Sequence, residues 1–201
     1  MVEAGEPIEL SGPPRRFVSR GGDKLDAALD EFGIDVRGLH CVDVGASTGG
    51  FTDCLLQRGA ASVVAIDVGR AQLDWSLRND ANVTLHERTD VRTFDATSIP
   101  PPDLVVVDVS FISLRTVLPS IASLARGAPV VALVKPQFEV GRSNVPKGGV
   151  VRDPVMQVRA LAGVSSGAEE LGMRTLAAAP SAIVGTHGNK EIFVLLREAR
   201  A

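Results

Sequence analysis

Residues 43–55 read DVGASTGGFTDCL, a pattern typical of the first strand, turn and helix of an α/β sheet. The apolar run 39–42 precedes it, and Phe51, Leu55 and Leu56 follow at helical spacing, which predicts a glycine-rich turn between a strand and a helix. Such turns bind ligands in α/β sheets, because the N–H groups of the helix point outward there and a crevice opens at the carboxyl ends of the strands.

The residue at position 47 indicates which ligand this turn takes. A dinucleotide fingerprint, G-x-G-x-x-G, would place a glycine two residues after Gly45, so that the backbone could approach a pyrophosphate. Here that residue is Ser47. Its side chain crowds a pyrophosphate but suits a smaller ligand whose amino and carboxylate ends use a hydroxyl and free N–H groups. S-adenosylmethionine fits this description. The alternative is a tight turn without a ligand, because isolated glycine motifs are weak signals.

Two acidic residues end the first two predicted strands. Asp43 is expected to accept hydrogen bonds from the N–H groups of the loop. Asp67 follows the apolar run 63–66, at the separation from the glycines where an acid reaches the ribose hydroxyls of an adenosine. The predicted contacts to the methyl donor are Asp43, Gly45, Ala46, Ser47, Thr48, Gly49, Gly50, Phe51, Asp67, Asp90 and Asp108.

Composition indicates one globular domain with a short appendage. Of 201 residues, 45% are hydrophobic and 22% are charged, which allows a substantial core. Residues 1–18 are predicted to be a flexible tail or linker remnant, and residues 19–201 the folded domain. No uncharged apolar run approaches the ~18 residues of a membrane span, and the N-terminus lacks a signal-peptide core. We expect a cytoplasmic monomer without a membrane span or a metal; Cys41 and Cys54 are expected to be reduced, partly buried thiols.

A basic stretch lies before the first helix. Arg15, Arg16, Arg20 and Lys24 stand close together with a single acid, Asp23. This stretch is either a patch that contacts phosphates or a solvated segment. The formal net charge of −3 leaves RNA binding open, because binding depends on a local patch rather than on the total charge. The three arginines are the candidate RNA contacts.

Strand and helix patterns alternate along the chain. Repeated βα units with continuous apolar strands indicate an α/β fold with a mostly parallel, doubly wound sheet and an antiparallel last strand. Residues 136–152 are predicted to be a long polar loop. Helices are predicted over 23–32, 48–58, 70–79, 114–126 and 153–171, and strands over 40–44, 62–67, 83–87, 104–109, 130–134, 174–184 and 191–197.

Charged residues occur where the core pattern disfavours them. Asp108 and Lys135 end neighbouring apolar strands, and Glu191 opens the last one. An unpaired buried carboxylate costs several kcal/mol, so these residues are expected at the strand ends beside the ligand crevice, together with Lys24. Taken singly, each has an ordinary explanation: an Asp that caps a helix, a Lys that reaches solvent from a strand end, or a Glu on an edge. Their shared position favours a functional site.

Six motifs resemble the TlyA (hemolysin A) branch of the FtsJ-like rRNA 2′-O-methyltransferases: SRGGDKL, DVGASTGGFTDCLLQRGA, DVSFISL, VKPQFEVG, GGVVRDP and NKEIFVLL. The resemblance spans about residues 16–198. It implies a Rossmann-like methyltransferase fold, S-adenosylmethionine as donor, and cytidine ribose 2′-hydroxyls of ribosomal RNA in both subunits as acceptors. Such proteins usually begin with a small RNA-binding domain, for which residues 1–18 offer no counterpart. We therefore expect a catalytic domain that needs help to find its RNA.

The resemblance also assigns a catalytic tetrad. The family's Lys-Asp-Lys-Glu set falls on Lys24, Asp108, Lys135 and Glu191. Methyl transfer to a hydroxyl requires the oxygen to lie roughly 3 to 3.5 Å from the methyl carbon and to lose its proton. Lys135 is the candidate base; a protonated Lys135 that positions the oxygen is the alternative. Asp108 and Glu191 are expected to orient the lysines, and Lys24 to contact the ribose or tune Lys135.

The sequence leaves the roles of two phenylalanines and one histidine open. Phe111 and Phe138 would either stack on a flipped cytosine or pack in the core, the favoured interpretation. His187 is interpreted as a solvated loop residue.

Two other classes of protein are alternatives to a methyltransferase. An NAD(P)-dependent oxidoreductase on the same fold is disfavoured by Ser47 and by the absence of tyrosine. A non-catalytic RNA-binding or hemolysin-like protein is disfavoured because long basic amphipathic helices are lacking and an inert binder has no use for the tetrad.

Overall fold

The computed structural model of the protein describes residues 15–199. Within this range the α-helices, α1 to α6, are Arg20–Glu31, Gly50–Gln57, Trp75–Arg78, Leu114–Ala125, Pro136–Glu139 and Pro154–Glu169. The strands, β1 to β7, are His40–Val44, Ser62–Ile66, Val83–His86, Leu104–Val107, Val130–Val134, Met173–Pro180 and Ile192–Glu198. Short 3₁₀ turns lie at Ala96–Ser98, Arg142–Asn144 and Thr186–Gly188.

The seven strands form one mixed sheet. Their order is β3-β2-β1-β4-β5-β7-β6, with parallel pairing from β3 through β5 and antiparallel pairing of β7 to both β5 and β6. The predicted fold class is confirmed, and the antiparallel last strand lies inside the sheet. The direction of winding reverses between β1 and β4, which opens a crevice at the carboxyl ends of these strands.

Both faces of the sheet are buried. Strand β5 shows the alternation: Val131 and Leu133 pack with α1 and α2, whereas Val130, Ala132 and Val134 pack with α4 and α6. All five are at most 1% exposed. A strand covered by helices on both sides has no polar face, which explains its uninterrupted apolar sequence.

The packed core begins before helix α1. Phe17 is 2% exposed and belongs to the cluster under α1 and α2. The N–H of Val18 donates to Asp53 Oδ2 at 2.8 Å. Of the tail predicted over 1–18, the last residues therefore pack on the domain, while residues 1–14 lie outside the described range.

Two helices begin at different residues than the sequence predicts. Helix α1 begins at Arg20, three residues early, because the Ser19 hydroxyl caps its first turn. The helix predicted over 70–79 is wrong in its first half, since only Trp75–Arg78 is helical. Asp74 caps the helix at that point, because its carboxylate accepts the N–H of the second helical residue.

Segments after β4, β5 and β6 also differ from the prediction. The strand predicted over 104–109 ends at Val107. The loop predicted over 136–152 begins with helix α5, because Pro136 suits a first helical position. Strand β6 ends at Pro180, whose partner Ile192 is the first residue of β7.

Two further sequence expectations concern the cysteines and the membrane. Cys41 and Cys54 are free and buried, and burial raises the pKa of each thiol to about 12. Among residues 15–199, no helix is long and apolar enough to cross a membrane.

Candidate active site

The glycine-rich turn is tightly closed between β1 and α2. Gly45 has a φ of 86°, and a Cβ there would lie 2.5 Å from the backbone oxygen of Asp108. Gly49 has a φ of 98°. A Cβ on Gly50 would lie 2.9 Å from the backbone nitrogen of Gly22 in α1. A side chain is therefore excluded at Gly45 and Gly49 by the left-handed backbone, and at Gly45 and Gly50 by the close approach of neighbouring backbone atoms.

Ser47 and Asp67 are joined across the turn. Ser47 is left-handed, with a φ of 49°, and its N–H donates to Asp67 Oδ2 at 2.8 Å. The other oxygen of Asp67 accepts the N–H of Gly69 at 2.6 Å. The Ser47 hydroxyl lies 3.3 Å from Gln72 Oε1. Asp67 thus fixes the shape of the loop, and its two oxygens retain capacity for further hydrogen bonds.

Asp43 lies beneath the turn with no exposed surface. Its Oδ2 accepts the Thr52 hydroxyl at 2.7 Å, so its partner is in the first turn of α2 rather than in the loop. Its Oδ1 is buried without a partner in residues 15–199. Burial raises the pKa of Asp43 to about 7; hydrogen bonding from Thr52 lowers it, and the charge of Asp108 raises it further.

Two cavities open on the crevice side of the turn. We call them the tetrad cavity, of about 570 Å³, and the Asp67 cavity, of about 470 Å³. They adjoin, because Gly45, Ser47, Asp108, Ser110 and Phe111 line both. Predicted donor contacts that line the tetrad cavity are Gly45, Ala46, Ser47, Thr48, Gly50, Phe51 and Asp108; those that line the Asp67 cavity are Gly45, Ser47, Asp67, Asp90 and Asp108. Asp43 and Gly49 line neither.

The four tetrad residues form two ion pairs on the wall of the tetrad cavity. Lys24 Nζ lies 2.6 Å from Glu191 Oε2, and Lys135 Nζ lies 2.5 Å from Asp108 Oδ1. Lys135 also donates to the Ser110 hydroxyl at 2.7 Å. Lys24, Lys135 and Glu191 are at most 8% exposed. Each buried charge thus has an opposite charge beside it, as burial requires.

The sheet topology explains why these residues meet. Asp108 and Lys135 each follow a parallel strand, β4 or β5, at its carboxyl end. Glu191 precedes β7, and because β7 is antiparallel its start lies at that same edge. Lys24 projects from α1, which packs on α2 directly after the glycine turn. The shared topological position inferred from the sequence is therefore observed.

Sequence reasoning missed three polar residues around the site. Ser110 is the hydroxyl partner of Lys135. Glu139 is 8% exposed and accepts the N–H of Leu114 at 2.6 Å, which connects the segments after β4 and β5. Burial raises the pKa of Glu139. Asn189 is 2% exposed, and both ends of its amide are bonded to the chain before α6. Of the three, only Ser110 could have been found from the sequence, because it lies two residues after Asp108 and therefore near the same strand end.

The aromatic residues differ from the favoured prediction of core packing. Phe111 is 92% exposed, has a φ of 65° and lies with its ring centroid 5.5 Å from that of the half-buried Phe138. Both line the tetrad cavity, so core packing is wrong for Phe111. His187 is exposed, as expected, and also lines this cavity.

The basic stretch and Asp90 have partners of their own. Arg16 pairs with Asp26, and its guanidinium carbon lies 4.6 Å from the centre of the Phe17 ring. Arg15 is exposed, and Arg20 lines the tetrad cavity. Asp90 accepts hydrogen bonds from the Arg92 guanidinium through both carboxylate oxygens, and these bonds lower the pKa of Asp90. Across the described chain, no three His, Cys, Asp or Glu side chains are grouped as a metal site would need.

Comparisons with known proteins identify the family of this architecture. The family model of the FtsJ-like methyltransferases matches residues 17–198. The chain is 52% identical to the 16S/23S rRNA (cytidine-2'-O)-methyltransferase TlyA of Mycobacterium tuberculosis (strain ATCC 25618 / H37Rv) over 185 residues, which are 91% of this chain and 69% of that protein. It is 41% identical to Hemolysin A of Brachyspira hyodysenteriae over 179 residues, 88% of this chain and 75% of that one.

Comparison with solved structures supports the same family and the same fold. One from Streptococcus thermophilus, named as a hemolysin, has a TM-score of 0.89 and 42% identity, and the match covers 96% of this chain and 71% of that chain. The magnesium protoporphyrin IX methyltransferase (ChlM) from Synechocystis PCC 6803 with bound SAH has a TM-score of 0.62 at 15% identity, covering 90% and 83%. At that identity the likeness shows the fold alone.

Proposed function

This chain belongs to the FtsJ-like methyltransferase family, and on that premise we propose that it transfers a methyl group from S-adenosylmethionine to the ribose 2′-hydroxyl of cytidine in ribosomal RNA. The observation that carries the proposal is the pair of ion pairs Lys24–Glu191 and Asp108–Lys135 on the wall of a cavity that adjoins the glycine turn. We place the reaction in the cytoplasm, where ribosomal subunits are found, and assign it to a monomer.

The residues around the turn fit S-adenosylmethionine. Gly45 lines both cavities without a side chain, and Asp67 and Asp90 supply carboxylates in the Asp67 cavity. Asp43 lines neither cavity, so we assign it to holding the start of α2 through Thr52 rather than to contact with the donor. We assign the Asp67 cavity to the adenosine and the glycine turn to the amino acid part. When bound, the donor supplies an electrophilic methyl group.

The tetrad positions the acceptor oxygen and accounts for its proton. A protonated Lys135 has three N–H groups, of which one faces Asp108 and one donates to Ser110. The third is free to hold the 2′-oxygen and to stabilise the negative charge that develops on it, and the hydroxyl proton then passes to solvent water. A neutral Lys135 would instead take the hydroxyl proton on its lone pair. Lys24, held by Glu191, adds a second positive charge at the same cavity.

The acceptor nucleotide would enter over the aromatic pair. Phe111 is exposed at the junction of the two cavities, and Phe138 supports its ring. Enzymes that modify a nucleotide commonly stack its base on such rings. Arg15, Arg16 and Arg20 remain candidate RNA contacts. We further propose that residues 19–201 are the catalytic domain, with Phe17 and Val18 packed on it.

A methylation assay tests this function. The protein is incubated with S-adenosylmethionine that carries a labelled methyl group and with unmethylated 30S or 50S subunits, and the RNA is digested to nucleosides. Mass spectrometry is expected to find the label in 2′-O-methylcytidine. Label on a base, or on another nucleoside, would overturn the proposed acceptor. Calorimetry with S-adenosylmethionine and with NAD separates the oxidoreductase alternative, which requires binding of NAD.

A further inference from the structure

The segment between Glu139 and Asp153 carries only positive charge. Arg142, Lys147 and Arg152 lie in it without any acidic residue, in a protein whose formal net charge is −3. All three are exposed. Such a local excess of one sign in an otherwise acidic protein is typical of a surface that binds polyanions.

No acid neutralises these cations, whereas several other arginines of the domain are paired with acids. Arg37, Arg58, Arg78 and Arg92 each form an ion pair of 2.6 to 2.7 Å with a nearby acid. By contrast, no carboxylate within residues 15–199 pairs with any cation of the 140–152 segment or with the exposed Lys190. Their charge is therefore available to a partner.

The segment borders the tetrad cavity and is fixed there. Val145 and Gly149 line the cavity. The buried Asn189 accepts the N–H of Val151 at 2.9 Å and donates to the carbonyl of Gly149 at 2.8 Å. These two bonds hold the segment against the loop that carries Lys190, immediately before the tetrad residue Glu191.

We propose that Arg142, Lys147, Arg152 and Lys190 form a phosphate-binding rim that takes the RNA backbone on either side of the target nucleotide. The rim rests on the proposed function, since it assumes that the tetrad cavity receives a ribose. A ribose 2′-hydroxyl buried in that cavity brings its own and the next phosphate to the mouth, where guanidinium and ammonium groups supply matching charge. Arg20 lines the same cavity from α1.

The test compares two double variants with the same loss of charge at opposite edges of the sheet. Arg142→Gln/Arg152→Gln removes half of the rim. Arg174→Gln/Arg197→Gln is the control, because these exposed arginines are paired neighbours on β6 and β7 at the edge away from the cavity. Binding to unmethylated 30S and 50S subunits is titrated between 50 and 200 mM salt, and thermal unfolding checks that each variant is folded.

The salt dependence gives the expected result in numbers. Each lost phosphate contact makes the slope of log K against log salt shallower by about 0.7 for single strands or 0.9 for duplex. The rim variant should therefore lose roughly 1.4 to 1.8 of slope, and a quadruple variant that adds Lys147→Gln and Lys190→Gln roughly 2.8 to 3.6. The control should keep the wild-type slope. Equal slopes in rim variant and control, or a larger loss in the control, would overturn the proposal.

Two further measurements keep the outcomes distinct. Wild-type protein that binds subunits with a rim-dependent slope but forms no 2′-O-methylcytidine would refute the proposed function and leave the rim as a phosphate site. Vesicles of phosphatidylglycerol and phosphatidylcholine test the other polyanion. If rim variants lose vesicle binding while subunit binding is unchanged, the surface recognises lipid headgroups and the RNA assignment fails.

Discussion

Lys24 and Glu191 form a buried ion pair of 2.6 Å although 167 positions separate them in the sequence. One belongs to the first helix and the other directly precedes the last strand, so the pair exists only in the completed sheet. Their side chains are 10% and 3% exposed. Only a small part of either group meets water, so each charge depends mainly on the other.

The first prediction concerns this pair. Glu191→Leu leaves the Lys24 ammonium buried without a partner, which should destabilise the protein by about 3 to 5 kcal/mol. The double variant Lys24→Met/Glu191→Leu should recover most of this loss, because both charges are gone. Urea unfolding measures the free energies, and methylation should be lost in both variants. Equal destabilisation of the single and double variants would contradict the argument.

The second prediction separates the roles of Lys135. Lys135→Ala should reduce single-turnover methylation by about 10² to 10⁴, the usual contribution of a general acid or base, without changing donor affinity. Lys135→Arg keeps a positive charge that does not come off near neutral pH. Partial activity of Lys135→Arg supports a residue that holds the oxygen, whereas an arginine variant as slow as alanine supports a base. A near wild-type rate for Lys135→Ala would remove this residue from the chemistry.

The third prediction concerns the methyl donor. Asp67→Ala should weaken S-adenosylmethionine binding by about 1.5 to 3 kcal/mol, the range for a hydrogen bond to a charged group. Asp74→Ala is the matched control, since this acid caps α3 and lines neither cavity. Calorimetry on folded protein gives both affinities. If the two variants bind the donor equally well, the adenosine lies elsewhere.

The fourth prediction compares two glycines. Gly45→Ala should destabilise the protein by more than about 1 kcal/mol and impair donor binding, because a Cβ collides with the backbone of Asp108 and φ is left-handed. Gly163→Ala in α6 should stabilise it by about 0.4 to 1 kcal/mol, since the nearest atom to its Cβ would be 3.8 Å away. Thermal unfolding checks the signs; a Gly45→Ala protein as stable as the wild type would show that the turn can relax.

The fifth prediction concerns pH. The pKa of Asp43 is raised from 3.8 to about 7, so the folded protein binds this proton more tightly than the unfolded chain. Its contribution to stability is complete below pH 3.8 and is lost as the pH rises through about 7. Asp43→Asn replaces the carboxyl group with a neutral amide, which removes this pH-dependent loss of stability. The amide oxygen can still accept the hydrogen bond from the Thr52 hydroxyl. The variant should therefore gain stability over the wild type between pH 4 and 8, by up to about 4 kcal/mol. Parallel stability curves for the two proteins would contradict the raised pKa.

The sequence predicted the parts of this fold that depend on pattern. Apolar runs located β1 and β5 to the residue, and the position of Ser47 in the glycine turn distinguished the donor from a dinucleotide. Helix α3 was predicted too long at its start. The Asp74 carboxylate caps the helix at Trp75, and this local hydrogen bond outweighs the apolar periodicity of the residues before it. Phe111 was expected in the core because composition says nothing about its left-handed backbone, which turns the ring outward.

The contacts that hold the site together were not predictable in the same way. The hydrogen bond between Lys135 and Ser110, and the one between Asn189 and the segment before α6, depend on which loops the sheet order brings together. A sequence pattern gives the edge of the sheet on which a residue lies, but not the neighbour it meets there. For that reason the tetrad was inferred as a set, whereas its two pairings came only from the structure.

The insertion of β7 between β5 and β6 also governs when the enzyme can first work. During synthesis the chain emerges from its N-terminus, so β1 to β5 can form the parallel part of the sheet while later residues are still inside the ribosome. Lys24 is then present, but the position that Glu191 will occupy is vacant. On the role proposed for Glu191, the site becomes complete only when β7 has emerged and entered the sheet, so we expect a nascent chain to be inactive until β7 folds.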